Sequence, residues 1–579
     1  LSEGGMIITR GAKEVDLSPQ ALKALGIKDE DESPQDGEAL IRAVLRAPVE
    51  LLWNGGIGTY VKSKSETDAA AGDPSNDAVR INVEALRCDV IGEGGNLGLT
   101  QRARGEYALL GGRINTDALD NAAGVDMSDH EVNLKILLAP AVADDTLTEE
   151  RRNKLLQELT EAVAELVLDN NRSQSLAVSL DERRSMESLD DFRDLMFTLE
   201  KAGELDRAAE ILPSADVLQE RRDRGKAMAR PELCVLLAYS KLSLKADLLS
   251  GGLPDDPVTE SYLLGYFPPK AMMAAGQGNL GVHRLRREII TAEITNDLVD
   301  LMGAGFVTRM KRDTGRSGED VVRAWLVASR LADHRALLGQ MAQQSSVLNA
   351  RVSYRWLLGL GRVLERTTRW VLQNVEPEGS SAGIVDQNLA GLAELREKFG
   401  EVVRGEDRKL FEARIREIQE LGADEAFSRR LITLRFLDQL LEILGIARET
   451  EHNVLETAYA YYQTSVTFEI PWLRRKTFAA AGDDQWEQRA AQVLSDDLSR
   501  AHRRVSAGLL RRAAEKESGI AEHDYLTLLK PREVERFQGI VGELKEEDAV
   551  GLAAVSVATR ELSGLSDKLS RRPAEGRSS

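Results

Sequence analysis

Val90-Ile91-Gly92-Glu93-Gly94-Gly95-Asn96-Leu97-Gly98-Leu99-Thr100 decides how the first quarter of the chain folds. The apolar run Cys88–Ile91 leads into it and reads as a buried strand, while Gly92 through Gly98 are too rich in glycine for a helix interior. After Thr100 the spacing predicts a helix over Gln101–Leu110, and a second apolar run, Arg113–Leu119, predicts another strand. Strand, glycine turn, helix and strand make an α/β unit with a right-handed crossover. Only one or two such units fit before residue 145, too few for a complete doubly wound sheet of about six strands. The turn nearly matches Gly-x-Gly-x-x-Gly, but its last glycine is one residue late, so it is not read as the primary pyrophosphate loop.

Upstream, Ser18-Pro19 opens a short helix that Gly26 closes, and Ser33-Pro34 repeats the signal ahead of Leu40, Ile41, Val44 and Leu45 on one face. Trp53-Asn54-Gly55-Gly56-Ile57-Gly58-Thr59-Tyr60 is a glycine loop, and Lys62–Asp77 is a further loop with a turn at Asp73-Pro74-Ser75-Asn76. Downstream the chain turns helical. Thr146-x-x-Glu149 reads as a capping box, followed by Leu155, Leu156, Leu159, Val163, Leu166 and Val167 at helical spacing. Similar stripes cover Leu189–Ala202, Arg230–Leu249, Val321–Leu331, Tyr354–Leu372, Phe427–Leu444 and Asp484–Ala513, without a fixed repeat.

The expected fold class is therefore α/β followed by mostly α. Residues 1–145 form one domain, 146–375 the first part of a helical domain and 384–565 its C-terminal part. Glu376–Gly383 is the linker, and 566–579 is a polar, frayed tail.

Composition narrows the function. The 579 residues carry 76 Lys+Arg against 95 Asp+Glu, a net charge of −19, which argues against a general nucleic-acid binder. Apolar runs such as Ile136–Ala143 and Leu233–Tyr239 fall far short of the roughly 20 residues a membrane span needs. Cys88 and Cys234 are the only cysteines and lie far apart, so no disulfide framework is supported and a cytoplasmic location fits. No Cys-x-x-Cys, His-Glu-x-x-His, Gly-x-Ser-x-Gly or Gly-Lys-Ser/Thr loop occurs, so no metal ligand or nucleophile is assigned.

Three stretches combine small residues with hydrogen-bonding side chains: Gly55–Tyr60, Glu93–Thr100 and Asp120–Ser128. In an open parallel sheet, ligands bind beyond the carboxyl ends of strands, where such loops converge. Glycine there lets backbone approach a flat ring, and asparagine offers both donor and acceptor. Taken singly, each loop is better explained as a turn whose Asn96 or Asn121 satisfies local backbone, and three such loops within about 75 residues shift the balance only modestly.

The motifs Val90-Ile91-Gly92-Glu93-Gly94-Gly95-Asn96, Gly111-Gly112-Arg113-Ile114-Asn115-Thr116-Asp117 and Asn121-Ala122-Ala123-Gly124-Val125-Asp126-Met127-Ser128 resemble the later half of the cofactor domain of glutamate dehydrogenases. More narrowly, Gly55-Gly56-Ile57-Gly58-Thr59-Tyr60-Val61, Arg230-Pro231-Glu232-Leu233, Gly265-Tyr266-Phe267-Pro268-Pro269 and Ile294-Thr295-Asn296 are similar to the very large NAD-specific bacterial members. The resemblance implies the C-terminal part of a Rossmann-like dinucleotide-binding domain plus a large helical domain. It implies NAD as cofactor and L-glutamate and 2-oxoglutarate as substrates. Asn96 would lie at the nicotinamide ribose or carboxamide, with Gly94 and Gly95 letting backbone approach. Asn121 would face the nicotinamide side, and Ser128 the distal carboxylate of glutamate. Gly95 stands where ordinary members have alanine, and Thr116 where they have proline.

The family's catalytic lysine and aspartate have no counterpart ahead of Gly55, so no catalytic residue is assigned within this chain. The expectation is a C-terminal fragment, inactive alone. The alternative is a helical assembly module without activity. The helices are expected to make homo-oligomer contacts. His130, close to Ser128, reads as a capping or solvent-facing histidine, Cys88 as a small core residue, Trp356 and Trp370 as core, and Arg102 and Arg104 as exposed.

Overall fold

In the computed structural model the described residues are 1–28, 33–345, 349–375, 380–482, 485–515, 524–547 and 550–570. They cluster into two compact units, Leu1–Val322 and Arg323–Ser579. The described residues are mostly helical, with two small sheets among those of the first unit.

Ser18 caps the helix Pro19–Leu25 by accepting from Ala21 N, and Gly26 exits in the left-handed region at φ 67°. The next helix, Gly37–Leu45, is capped by Asp36, not by the expected Ser33, because Asp36 stands one residue ahead of the first helical residue. Strand β1 (Leu51–Asn54) pairs in parallel with β4 (Val90–Glu93), register Leu51 to Val90 through Asn54 to Glu93. Strands β2 (Val61–Lys62) and β3 (Ile81–Asn82) form the second parallel pair, extended by a bridge from Val61 to Leu99. The segment between them is not all loop: it holds the short helix Asp68–Ala71 and a 3-10 turn Pro74–Asn76. Val61, Val79, Ile81, Ile91, Leu99, Ala103, Tyr107 and Ile114 make the core beneath both pairs, with Cys88 buried among them.

The expected strand Arg113–Leu119 is reduced to one bridge, Val90 to Arg113. After it the chain winds into the one-turn helix Asp117–Asp120. Two acids, Asp117 and Asp120, in the four residues after Thr116 favour a helix turn over an apolar strand. The helix Ala122–Ala143 then follows immediately, so the expected loop over Asp120–Ser128 is helical from Ala122 onward.

The helix Glu149–Glu158 is capped by Thr148, whose hydroxyl accepts from Arg151 N. Thr146, expected in that role, donates to Ala141 O instead. A kink at Leu159 separates it from the helix Thr160–Glu187. The helices Leu189–Ala202, Arg230–Ser250 and Arg286–Met302 complete the packing around Leu236, Leu248, Ile290, Ile294 and Leu298, all fully buried.

The second unit is helical throughout its described residues. Its longest helix, Gln485–Glu515, runs against Leu552–Ser570, which comes so close at Gly508 that a Cβ there would meet Leu569 Cβ at 2.7 Å. The stripe Phe427–Leu444 is two helices, Glu425–Leu434 and Leu437–Thr450. Buried Phe436 sits at the break, its ring 4.9 Å from Phe399. Of the expected linker, 376–379 lie outside the described residues, and Ser380 caps the helix Ser381–Val402. At the other end the last helix carries Ser566 and Leu569 into the core, and 571–579 lie outside the described residues. No helix is long and apolar enough to cross a membrane among the described residues.

Candidate functional site

Parallel β1 and β4 end side by side at Asn54 and Glu93, so the two glycine turns leave from the same edge. Gly56 adopts φ +84°, open to glycine, and packs against Gly95 so tightly that a Cβ on Gly95 would overlap Gly56 Cα. Gly94 is constrained from another side: a Cβ there would sit 2.5 Å from Trp53 Cζ2. The Trp53 indole lies over Gly92 and Gly94 while remaining 62% exposed. The close approach these glycines permit is therefore first between two parts of the protein.

Asn96 and Asn121 come together. Asn121 Nδ2 donates to Asn96 Oδ1 at 3.0 Å, joining the turn after β4 to the start of the helix Ala122–Ala143. This leaves the Asn96 NH2 and the Asn121 carbonyl oxygen directed elsewhere, the donor and acceptor a carboxamide would need. Ser128 is exposed and lies seven residues beyond Asn121 on one helix face, a rise of about 10 Å, so the two do not touch. Its hydroxyl donates to Val125 O at 2.8 Å and keeps acceptor capacity.

The scaffold under this pair consists of charged groups that the sequence did not mark. Glu93, fully buried, receives both Arg104 Nε (2.7 Å) and NH2 (2.9 Å), and its Oε1 also accepts from Leu99 N. Burial pushes the Glu93 carboxyl up and Arg104 pulls it back; the guanidinium itself is held charged by Glu93 and Asp117. Arg104 is thus a buried ion-pair partner and not the exposed side chain expected, because the helix Gln101–Leu109 turns it inward over β4. Arg102 is exposed. Asp117 Oδ2 accepts from Leu97 N at 2.7 Å, where Leu97 takes φ +59°, and Asp120 Oδ2 accepts from Glu93 N at 3.1 Å. The one available signal was acids at 117 and 120 within a turn's length of a glycine loop.

His130 also differs from expectation. It is buried in the helix Ala122–Ala143 and stacks on Tyr266 with centroids 4.2 Å apart, and neither ring nitrogen has a hydrogen-bond partner among the described residues. Burial depresses its pKa, which keeps it neutral. Tyr266 accepts from Asn133 Nδ2 at 2.9 Å, and Phe267 packs edge-on against it. Tyr266, Phe267 and Pro268 are thus buried at the turn between the helices Glu260–Tyr266 and Pro269–Ala275, with Pro269 exposed. Among the described residues no group of three or more His, Cys, Asp or Glu could hold a metal ion.

Residues 1–181 match the family model described as bacterial NAD-glutamate dehydrogenase, catalytic domain, and residues 225–564 match glutamate dehydrogenase, C-terminal. An NAD-specific glutamate dehydrogenase of Halomonas elongata is 38% identical over 568 residues, covering 98% of this chain and 35% of that protein. The similarly named proteins of Pseudomonas aeruginosa and Mycobacterium tuberculosis are 37% and 35% identical, over 98% and 97% of the chain. The chain spans 35% of the length of each of these relatives.

Proposed function

The chain belongs to the bacterial NAD-glutamate dehydrogenase family, and from that premise we propose that it forms the cofactor-side portion and helical domain of an enzyme oxidising L-glutamate to 2-oxoglutarate and ammonium. NAD would supply the hydride acceptor. The observation that carries this reading is the Asn121–Asn96 hydrogen bond at the shared edge of β1 and β4, where a ligand of a parallel sheet belongs. Asn96 and Asn121 would take the carboxamide between them, on backbone shaped by Gly94 and Gly95. Residues 1–145 are read as the C-terminal part of a Rossmann-like domain, to which β1 and β4 contribute.

Ser128 would turn its hydroxyl from Val125 O to the distal carboxylate of the substrate. Asp126, two residues before it, is already engaged, accepting from Asn170. The cation that a dicarboxylate needs, and the lysine and aspartate that move protons in this family, would come from residues outside this chain, which leaves the chain inactive alone. Two buried free cysteines suit a cytoplasmic site of action, and the helical second unit suits homo-oligomer contacts.

The test is NADH formation from L-glutamate and NAD, measured for this chain and for a longer protein that carries it. Turnover by the longer protein alone is the expected result. In that protein Ser128→Ala should lower kcat/KM roughly 10- to 150-fold, the loss of a hydrogen bond to a carboxylate. No turnover of glutamate by either would favour the competing reading, a helical assembly module, for which the all-helical second unit is the supporting observation.

A further inference from the structure

Arg230 is the first residue of the helix Arg230–Ser250, and it points back at the loops of the candidate site. Its Nε and NH2 both donate to Asn115 Oδ1, at 3.3 and 2.9 Å. On the other side its NH1 donates to Ser179 Oγ at 3.0 Å and to Glu182 Oε2 at 3.3 Å, both on the helix Thr160–Glu187. With its oxygen taken by the guanidinium, the Asn115 amide has one usable orientation, which aims Nδ2 at Asp120 Oδ1, 2.9 Å away. The second oxygen of Asp120 holds Glu93 N, the last residue of β4 before the Gly94-Gly95-Asn96 turn. Asp120 also directly precedes Asn121, whose side chain meets Asn96. A line of hydrogen bonds thus runs from two long helices, through Arg230, Asn115 and Asp120, to Glu93 N, three residues before Asn96, and Asp120 is the chain neighbour of Asn121.

We propose that Arg230 is a positioning residue: it fixes the geometry of the Asn96–Asn121 site from the helical side of the first unit. The inference rests on reading that pair as the cofactor contact. Four hydrogen bonds in two directions from one planar group explain why arginine serves here. A lysine ammonium is a point charge on a flexible stem and cannot hold Asn115 and the Ser179–Glu182 pair in one fixed plane. The first turn of the same helix touches the loops at a second point, where Pro231 O accepts from Gln101 Nε2 at 3.5 Å. Arg230 touches neither Asn96 nor Asn121, so its effect is on their placement alone.

Hydrogen exchange on the purified chain tests the line directly. Arg230→Met should speed exchange of the amides of Glu93 and Leu97 and of the turn Asp117–Asn121 roughly tenfold or more, the scale of a lost charge-assisted hydrogen bond. Amides of Arg286–Met302 and of the second unit should stay as in the wild type. Arg230→Lys should restore only part of the protection. Should Arg230→Met fail to fold, Asn115→Asp decides: it keeps an acceptor for Arg230 but sets a like charge against Asp120, so Glu93 and Asp117–Asn121 should loosen while Thr160–Glu187 keeps its protection. Exchange raised evenly across the first unit, or unchanged at Glu93 and Leu97, overturns the proposal. NADH titration of a longer protein that carries this chain separates it from the cofactor reading. Weaker binding in its Arg230→Met variant than in its wild type supports both, whereas binding unchanged by Asn96→Ala and Asn121→Ala sinks the cofactor reading and leaves exchange to judge the line of bonds.

Discussion

Gly95 shows how a single missing carbon sets the site. Ordinary glutamate dehydrogenases carry alanine at the matching position, but here a Cβ would run into Gly56 Cα. Gly95→Ala should therefore cost about 1–3 kcal/mol in urea unfolding and weaken NADH binding, since the turn bearing Asn96 must move away from Gly56. An unchanged urea midpoint would show that the two turns are not packed as described. Asp407, at the start of the helix Gly405–Glu420, makes the opposite case of a residue that works against stability. It is buried, closes no ion pair among the described residues, and burial pushes its carboxyl from 3.8 to about 6 despite Arg474 nearby. The folded state then holds this proton more tightly than the unfolded chain, so stability falls as pH rises from about 4 through 6, and the cost persists at pH 7. Asp407→Asn should raise the unfolding free energy measured in urea at pH 7, by up to about 3 kcal/mol, with the gain fading below pH 4. At this scale the sequence displayed the glycines and asparagines of the site, because left-handed turns and amide side chains are local properties. It hid Glu93, Arg104 and Arg230, because an ion pair or a bridging guanidinium is chosen by what the fold brings alongside.

Among the elements, the helix Ala122–Ala143 was the least legible. Ala122-Ala123-Gly124 after an asparagine looks like a turn, and Pro140 in the last turns adds a second break signal. Packing of Leu134, Leu137, Leu138 and the His130–Tyr266 stack overrides both. The stripe Phe427–Leu444 failed in the other direction: its period is continuous, and only the burial of Phe436 interrupts it. The start of the helix Arg230–Ser250 can be tested by mutation. Glu232 reaches back to Ala229 N at 2.8 Å and receives Arg221 in a fork at 2.7 and 2.9 Å. Glu232→Ala leaves the N–H uncapped and the largely buried Arg221 unpaired, and should cost roughly 3–5 kcal/mol in denaturant. Glu232→Gln keeps an acceptor and should lose distinctly less. Equal losses would mean that the charge contributes nothing.

For the molecule as a whole, a helical majority was plain from scarce proline and long Leu/Ala/Glu/Arg stripes, and a small parallel α/β part was plain from the glycine turns. The extent of the sheet was not, since strands of two to four residues leave almost no period to read. What exists of it is covered on one face only. Ile91 and its neighbours bury the inner face, whereas Leu51 (55% exposed), Trp53 and Val90 (37%) line the outer one. Parallel sheets are ordinarily covered on both faces. The isolated chain should therefore show concentration-dependent association in sedimentation velocity, and Leu51→Lys should reduce it; equal behaviour of the two proteins would clear this face. The indole over Gly92 and Gly94 has an optical consequence as well. Trp325, Trp356 and Trp370 are buried and Trp472 is half-buried, so a collisional quencher in water will reach Trp53 and Trp486 first. With Trp472→Phe and Trp486→Phe together, the readily quenched light comes chiefly from Trp53, and its colour and lifetime become a running record of how the Gly94-Gly95-Asn96 turn is seated.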